Sequence, residues 1–451
     1  MINRLIIALF LILCLIPSLG MAVVGESEAA ANEVLAKFPA FLDKSGKPDS
    51  GYLTKISDWA SDRFAFRQEL ITAWSVLNSA LFRTSVEDKV VIGKSGWLYY
   101  AETLDDYTGV CMDDAKLEAA ARNLSLMQEY AESKGAEFLF TIAPNKNSIY
   151  PGYMPDHIPH ADTQGNAERL IPLFEEYDVR YADLFSAISD TDEVLYFKTD
   201  SHWDSKGAAL AADVILSGLG RDSAYFSSAF TDGDEHTGDL YEMLYPAGKF
   251  TETDRKYARG FSYTTAKDPN GGNAINIESS SEAGSGRLLC WRDSFGVALY
   301  PFLAESFHDA RFSRSATYDL IRMEQEATDA VVIELVERNI GYLLEYMPLY
   351  PAPERNLPAV KDELPSLKIS AEEGKTSASS ELVLLKCEIP EEYAVNTREA
   401  FFLYNGRCYE AALLYSDGSV PVASAWVNAA EYCNVSVVFG NSEEYHLSAA
   451  A

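Results

Sequence analysis

Leu288-Leu289-Cys290-Trp291-Arg292-Asp293-Ser294-Phe295-Gly296 is an apolar run that breaks into polar turn residues and then enters a helical pattern at Gly296-Val297-Ala298-Leu299. A short, uninterrupted apolar run suits a strand buried on both faces. Ser294 then falls where strand becomes helix, so its hydroxyl stands at a sheet edge beside unpaired backbone N–H groups. That placement suits a nucleophile, and it equally suits a helix N-cap. Both roles fit one position.

The same alternation runs outward from this stretch. Asp113 is placed to cap a helix whose apolar positions Leu117, Ala120, Ala121, Leu124, Met127 and Ala131 follow the helical period. Phe138 to Ile142 reads as a buried strand, Glu168 to Tyr177 as a helix and Val179 to Leu184 as another strand. A helix capped by Asp204 or Ser205 carries Leu210, Ala211 and Val214 on one face, and Val331 to Leu335 is a further apolar strand. Such alternation predicts an α/β domain over residues 30–349, with a mostly parallel sheet and helices on both faces. Reactive groups in these sheets gather at the carboxyl ends of the strands.

Ahead of this pattern, Val90 to Tyr100 reads as a hairpin turning at Lys94-Ser95-Gly96. Behind it, residues 350–380 hold four prolines up to Pro365 and then Ser, Glu and Lys, which reads as a linker. Residues 381–447 carry β-prone runs at Leu382 to Leu385, Ala400 to Tyr404 and Val435 to Phe439, and predict a small all-β module.

The chain has 451 residues, 47% of them hydrophobic, and a formal net charge of −31. That charge excludes binding to a nucleic-acid backbone, which needs clustered Lys and Arg. At the N-terminus, Arg4 precedes an uncharged apolar stretch from Leu5 to Gly25. Residues 1–25 therefore read as an export signal, with Gly20-Met21-Ala22 as small residues at a cleavage point, or as an uncleaved membrane anchor of roughly the 20 residues a span requires. Either reading makes the chain exported, extracytoplasmic and membrane-anchored or secreted. Of the six cysteines, Cys14 lies in this stretch; Cys111, Cys290, Cys387, Cys408 and Cys433 follow no zinc-binding spacing. One disulfide among Cys387, Cys408 and Cys433 is compatible with export.

Thr199-Asp200-Ser201-His202-Trp203 supplies what Ser294 lacks. On an extended segment, Asp200 and His202 would share one face, so that the carboxylate orients the imidazole. Ser294 as nucleophile, His202 as base and Asp200 as orienter make a hydrolytic triad. The competing reading has Asp200, His202, Asp204 and His236 as metal ligands. Asp204 serves more economically as a helix cap, and no metal is expected.

Five motifs occur in the order found in a known family: Gly93-Lys94-Ser95-Gly96-Trp97-Leu98-Tyr99-Tyr100; Ala143-Pro144-Asn145-Lys146 with Tyr150-Pro151; Thr199 to Trp203; Arg292 to Gly296; and Val336-Glu337-Arg338-Asn339. Over roughly residues 35–350 the chain resembles the AlgX/AlgJ alginate O-acetyltransferase group, which is SGNH-hydrolase-like and includes the so-called DHHW proteins. Ser201 stands where the DHHW name has His. The resemblance implies a flavodoxin-like parallel sheet, an acyl-enzyme mechanism through Ser294, His202 and Asp200, and no cofactor. It implies a polysaccharide acceptor and an acetyl donor delivered by a membrane acyltransferase. Arg292 and Asp293 would shape the serine turn, and Asn145 would donate to an oxyanion or merely build its own turn. Trp97, Tyr99 and Trp203 would line a sugar site or pack in the core. A carbohydrate acetylesterase and a non-catalytic glycan-binding protein are the alternatives on the same fold.

Overall fold

A computed structural model describes residues 2–27, 35–265, 271–373, 382–415, 418, 420–428, 435–441 and 444–450. The 90–100 segment is an antiparallel hairpin of β1 (Val90–Ile92) and β2 (Leu98–Tyr100), and Ser95 and Gly96 take positive φ in its turn. The central sheet then uses β3 (Glu137–Ala143) and β4 (Tyr181–Ala182). Next come β5 (Phe230–His236) and β6 (Glu252–Tyr257), which form a separate antiparallel ribbon. The sheet is completed by β7 (Thr264–Thr265), β8 (Asn276–Ser280), β9 (Arg287–Trp291), β10 (Asp309–Ser313) and β11 (Ala330–Val336).

Among the described residues the central sheet has seven strands in the order β4-β3-β11-β9-β10-β8-β7. The run from β4 to β10 is parallel, and β8 and β7 add antiparallel edge strands. Side chains alternate across it, as the pleat requires. Phe138, Phe140 and Ile142 of β3, with Leu289, Trp291, Val331 and Ile333, face a core shared with helices Asp114–Ser133 and Asn166–Glu176. Leu139 and Ala143, with Leu288, Cys290 and Val332, face a second core under helices Ser205–Gly218 and Gly296–Ser306. This is the expected two-faced α/β architecture. Asp113 caps its helix by accepting from the Lys116 N–H. Strand β4 is shorter than Val179 to Leu184 because Asp183 accepts from the Ser186 N–H and starts the helix Leu184–Ser189.

The C-terminal part departs from the linker-and-module expectation. Of residues 350–380, those up to 373 do not form a free linker, because β12 (Glu354–Arg355), β13 (Val360–Leu367) and β14 (Ile369–Glu373) all join the β module, and 374–380 lie outside the described residues. They pair with strands drawn from β15 (Leu382–Glu388), β16 (Glu399–Tyr404), β17 (Arg407–Leu414), β18 (Val422–Asn428), β19 (Ser436–Asn441) and β20 (Glu444–Ala450). Proline is tolerated here because β13 is an edge strand and its register slips between Leu364 and Leu367, around Pro365. The module is also fused to the α/β body. Leu385, Phe402, Leu413 and Phe439 belong to the same core as helix Asp114–Ser133. Glu410 on β17, 2% exposed, accepts from Arg122 of that helix and from Arg355, each through Nε at 2.7 Å.

The apolar N-terminal stretch is helical over Ile2–Val23, and several of its side chains, Cys14 included, lie outside the described residues. Among the described residues no helix is long and apolar enough to cross a membrane. Cys111, Cys290, Cys387 and Cys408 are free thiols, and Cys433 lies outside the described residues.

Asn123 ties body to module. Its amide donates to Leu343 O at 3.1 Å and Leu413 O at 3.0 Å, and its Oδ1 accepts from the Leu413 N–H at 3.2 Å. Asn123→Leu strands these buried backbone groups and is expected to lower stability by about 2–4 kcal/mol in urea unfolding. An unchanged midpoint would refute this coupling.

Candidate active site

Ser294 and several of its neighbours stand at the carboxyl ends of parallel strands, and Asp200 and His202 come from the loop ahead of helix Ser205–Gly218. Strand β9 ends at Trp291 and releases Arg292-Asp293-Ser294; β3 releases Asn145 and Lys146; β11 releases Glu337. The serine turn is held by Asp293, whose Oδ1 accepts from the Phe295 N–H at 2.8 Å and whose Oδ2 accepts from the Val336 N–H at 2.7 Å. Its own N–H donates to the buried Glu334. Arg292 is buried and makes no ion pair there. Its guanidinium donates to the carbonyls of Asp293 at 3.1 Å and Gly272 at 2.6 Å, which binds the loop bearing Asn273 to the serine turn. Helix Gly296–Ser306 begins beyond Phe295, so the Ser294 side chain is not its N-cap.

Ser294 Oγ lies 2.8 Å from His202 Nε2, and His202 Nδ1 lies 2.7 Å from Asp200 Oδ1. The two motifs, 92 residues apart, thus meet in one hydrogen-bonded chain. The expected extended geometry of Asp200-Ser201-His202 is corrected by the structure. Asp200 Oδ1 also accepts from the His202 backbone N–H at 2.9 Å, so the segment is a tight Asx-type turn closed at its base by the Tyr196–Trp203 bridge. Aspartate makes this turn because its short carboxylate reaches the N–H two residues on. The same oxygen then aligns the ring.

Several groups outside the predicted set clamp this turn. Lys146, 4% exposed, donates through Nζ to the carbonyls of Phe197, Lys198 and Asp200 at 3.2, 3.0 and 2.5 Å. Glu252 accepts from Lys198 N, Thr199 N and Thr199 Oγ1. Asp239 accepts from Ser201 N at 2.7 Å and Ser201 Oγ at 2.6 Å. Gly238 passes so close that an added Cβ would lie 2.2 Å from Thr199 O. Asp200 Oδ2 takes His236 Nε2 at 2.7 Å and the Asp239 N–H at 3.0 Å, so the carboxylate is held between two imidazoles.

Electrostatics follow from this packing. Burial alone would raise the Asp200 pKa, but the bonds from His202 and His236 outweigh it and hold the carboxyl well below its usual range. Burial alone would lower the His202 pKa, and the Asp200 bond and charge carry it above the ordinary histidine value. The Asp200 bond likewise raises His236, against the effect of burial. Burial and the Asp200 charge push Asp239 up, and burial brings Lys146 down to about 7.

Other expected site residues are placed differently. Trp97 and Tyr99 are buried in a separate aromatic cluster with Met154, where the Lys146 ammonium lies 5.6 and 5.3 Å from their rings. They support the clamp and have no face free for a sugar. Trp203 is 1% exposed and donates through Nε1 to Phe295 O at 3.1 Å, which joins the two halves of the site. Asn145 is buried, donates its N–H to Glu337 at 2.7 Å and is not among the described residues lining the cleft. As for metal ligation, Asp204 turns away to cap helix Ser205–Gly218 and to pair with Arg255. Both Asp200 oxygens are already engaged by hydrogen bonds.

Ser294 opens into a cleft of about 880 Å³ whose walls include His202, His236, Asp239, Phe261, Asn273 and Arg314. Lys146 stood in the sequence within the Ala143-Pro144-Asn145-Lys146 motif, with no role assigned to it. His236 was weighed there only as a ligand, and no spacing signalled Asp239 or Glu252.

Residues 90–274 match the family model described as SGNH hydrolase-like domain, acetyltransferase AlgX, a span that takes in Asp200 and His202 and ends before Ser294. No curated protein matches the chain. Among solved structures, Bacillus cereus PatB1 with a sulfonyl adduct is 18% identical with a TM-score of 0.44, over 56% of this chain and 95% of that one. The O-acetyltransferase domain of Pseudomonas putida AlgJ is 17% identical with a TM-score of 0.37, over 56% and 91%. Pseudomonas aeruginosa AlgX is 12% identical with a TM-score of 0.39, over 80% and 94%. Over residues 90–274 the chain is thus similar to the SGNH hydrolase-like domain of acetyltransferase AlgX.

Proposed function

We propose that this chain is an exported polysaccharide O-acetyltransferase that works through a Ser294-His202-Asp200 acyl-enzyme. The observation that carries this reading is the continuous hydrogen-bond chain from Ser294 Oγ through both ring nitrogens of His202 to Asp200. His202 Nε2 takes the Ser294 proton as Oγ bonds to the acetyl carbon of the donor ester, and the imidazolium returns that proton to the departing alkoxide. A sugar hydroxyl then loses its proton to His202 and attacks the acetyl carbon of the acyl-enzyme; the bond to Ser294 Oγ breaks, and the imidazolium returns the proton to Oγ. Backbone N–H groups of the serine turn and the Asn273 amide on the cleft wall are the candidate donors to the oxyanion. The resemblance to AlgX over residues 90–274 supports a cell-surface or secreted glycan as acceptor and an ester presented by a membrane acyltransferase as donor. Export is supported by the charged-then-apolar start of the chain.

Acetate release from a chromogenic acetyl ester, measured with and without added oligosaccharide, tests the reading. Ser294→Ala and His202→Ala are each expected to lower turnover by about 10³-fold or more with folding intact. Label from a serine-directed phosphonate should map to Ser294. Acetate release with no transfer to any oligosaccharide would make the chain an esterase, and an unlabelled Ser294 in folded protein would leave only a glycan-binding role.

The base form of His202 is neutral and its pKa is raised, so kcat/KM should climb with pH through an ionisation above the ordinary histidine value of about 6.5. His236→Gln removes a ring that competes for Asp200 and adds positive charge when protonated. Asp200 then holds the His202 proton more tightly, and the acidic limb should move to higher pH by about half a unit to one unit. A limb that stays in place or moves down would show that His236 does not tune the base.

A further inference from the structure

Helix Arg67–Phe82 turns its polar side inward. Ser75 is 1% exposed, Thr72 Oγ1 accepts from the Ala247 N–H at 2.9 Å, and Ser79 Oγ accepts from the Tyr245 hydroxyl at 3.0 Å. Trp74, Leu77 and Leu81 share the opposite side at helical spacing and are 48–64% exposed, and Val76 and Phe82 on its flanks are 51% and 67% exposed. A surface helix ordinarily buries its apolar stripe, so this reversed arrangement leaves a large apolar face without a partner among the described residues. After Glu69 the helix has no charged residue.

Two observations identify what covers the face. The layer spanning 35–90 has eight Lys or Arg against seven Asp or Glu, a net of +1, which leaves −32 on the rest of the chain. A second copy would bring an equally acidic body alongside, whereas a lipid surface meets only the near-neutral layer. The apolar helix Ile2–Val23 also ends on this layer, with Gly20 packed against Ala65 and Phe66 at the start of the reversed helix. We infer that this face lies on a lipid bilayer, with Trp74, Leu77 and Leu81 sunk at the boundary between headgroups and acyl chains. Apolar contact of this size alone binds a membrane weakly and reversibly, and the N-terminal helix supplies the second attachment that holds it there. The catalytic reading plays no part in this inference.

The test is hydrogen exchange on the full chain, with and without phosphatidylcholine vesicles. Amides of residues 67–82 should exchange about tenfold more slowly on vesicles, while those of β3, β9 and β11 stay unchanged. Leu77→Glu combined with Leu81→Glu, both at exposed positions, should abolish that protection and leave exchange in the sheet as it was. A chain that binds vesicles through its N-terminal helix but shows no protection at 67–82 would overturn the inference, as would a chain that does not bind. Protection that appears without lipid and grows with protein concentration would overturn it in favour of a second copy.

Discussion

A carboxylate taken out of water has to find its hydrogen bonds within the protein, and Asp200 finds four: the backbone N–H and Nδ1 of His202, Nε2 of His236 and the N–H of Asp239. The arrangement of the site follows from this requirement. Satisfying Oδ1 closes the turn and aligns the imidazole toward Ser294. Satisfying Oδ2 draws in the end of β5 and the start of helix Asp239–Leu244. The cleft wall and the base are thus set by one buried anion. Its low pKa keeps the charge in place over the pH range in which His202 titrates.

The backbone of the turn is anchored just as heavily. Lys146 gathers three carbonyls on a buried ammonium packed over Trp97 and Tyr99, and Glu252 gathers three donors on the other side. In the proposed mechanism the His202 ring has to stay within hydrogen-bond reach of Ser294, and a turn anchored by Lys146 and Glu252 gives it little freedom to leave. The aromatic hairpin therefore contributes through packing beneath the site. The serine side is simpler, because Asp293 and Arg292 tie its turn to β11 and to the loop that carries Asn273.

The C-terminal strands share the core of the α/β body and are joined to it through Asn123 and Glu410. Residues 354–355, 360–367 and 369–373 became strands within a stretch whose prolines and polar residues read as a linker. Edge position and a register slip remove the objection to Pro365, and neither can be seen in a local window. The reversed helix Arg67–Phe82 is a similar case. Which side of it faces the body depends on Tyr245 and Ala247, more than 160 residues away in the chain.

The sequence by itself determined the alternation of strands and helices, the caps at Asp113 and Asp204, the hairpin at 90–100, and the trio Ser294, His202 and Asp200. The elements, caps and hairpin rest on periodicity or on residue types a few positions apart, which local backbone geometry enforces; the trio rests on two motifs 92 residues apart and on their order in a known family. Only the tertiary structure decided that Asp200 and His202 meet through a turn, that His236 shares their carboxylate from 36 residues away, and that Lys146 holds the turn from 54 residues before it. It also decided that Trp97 and Tyr99 pack beneath the site. These outcomes come from burial: once the sheet takes a charge out of water, whichever polar groups the fold brings near must satisfy it, and local spacing carries no record of which groups those are.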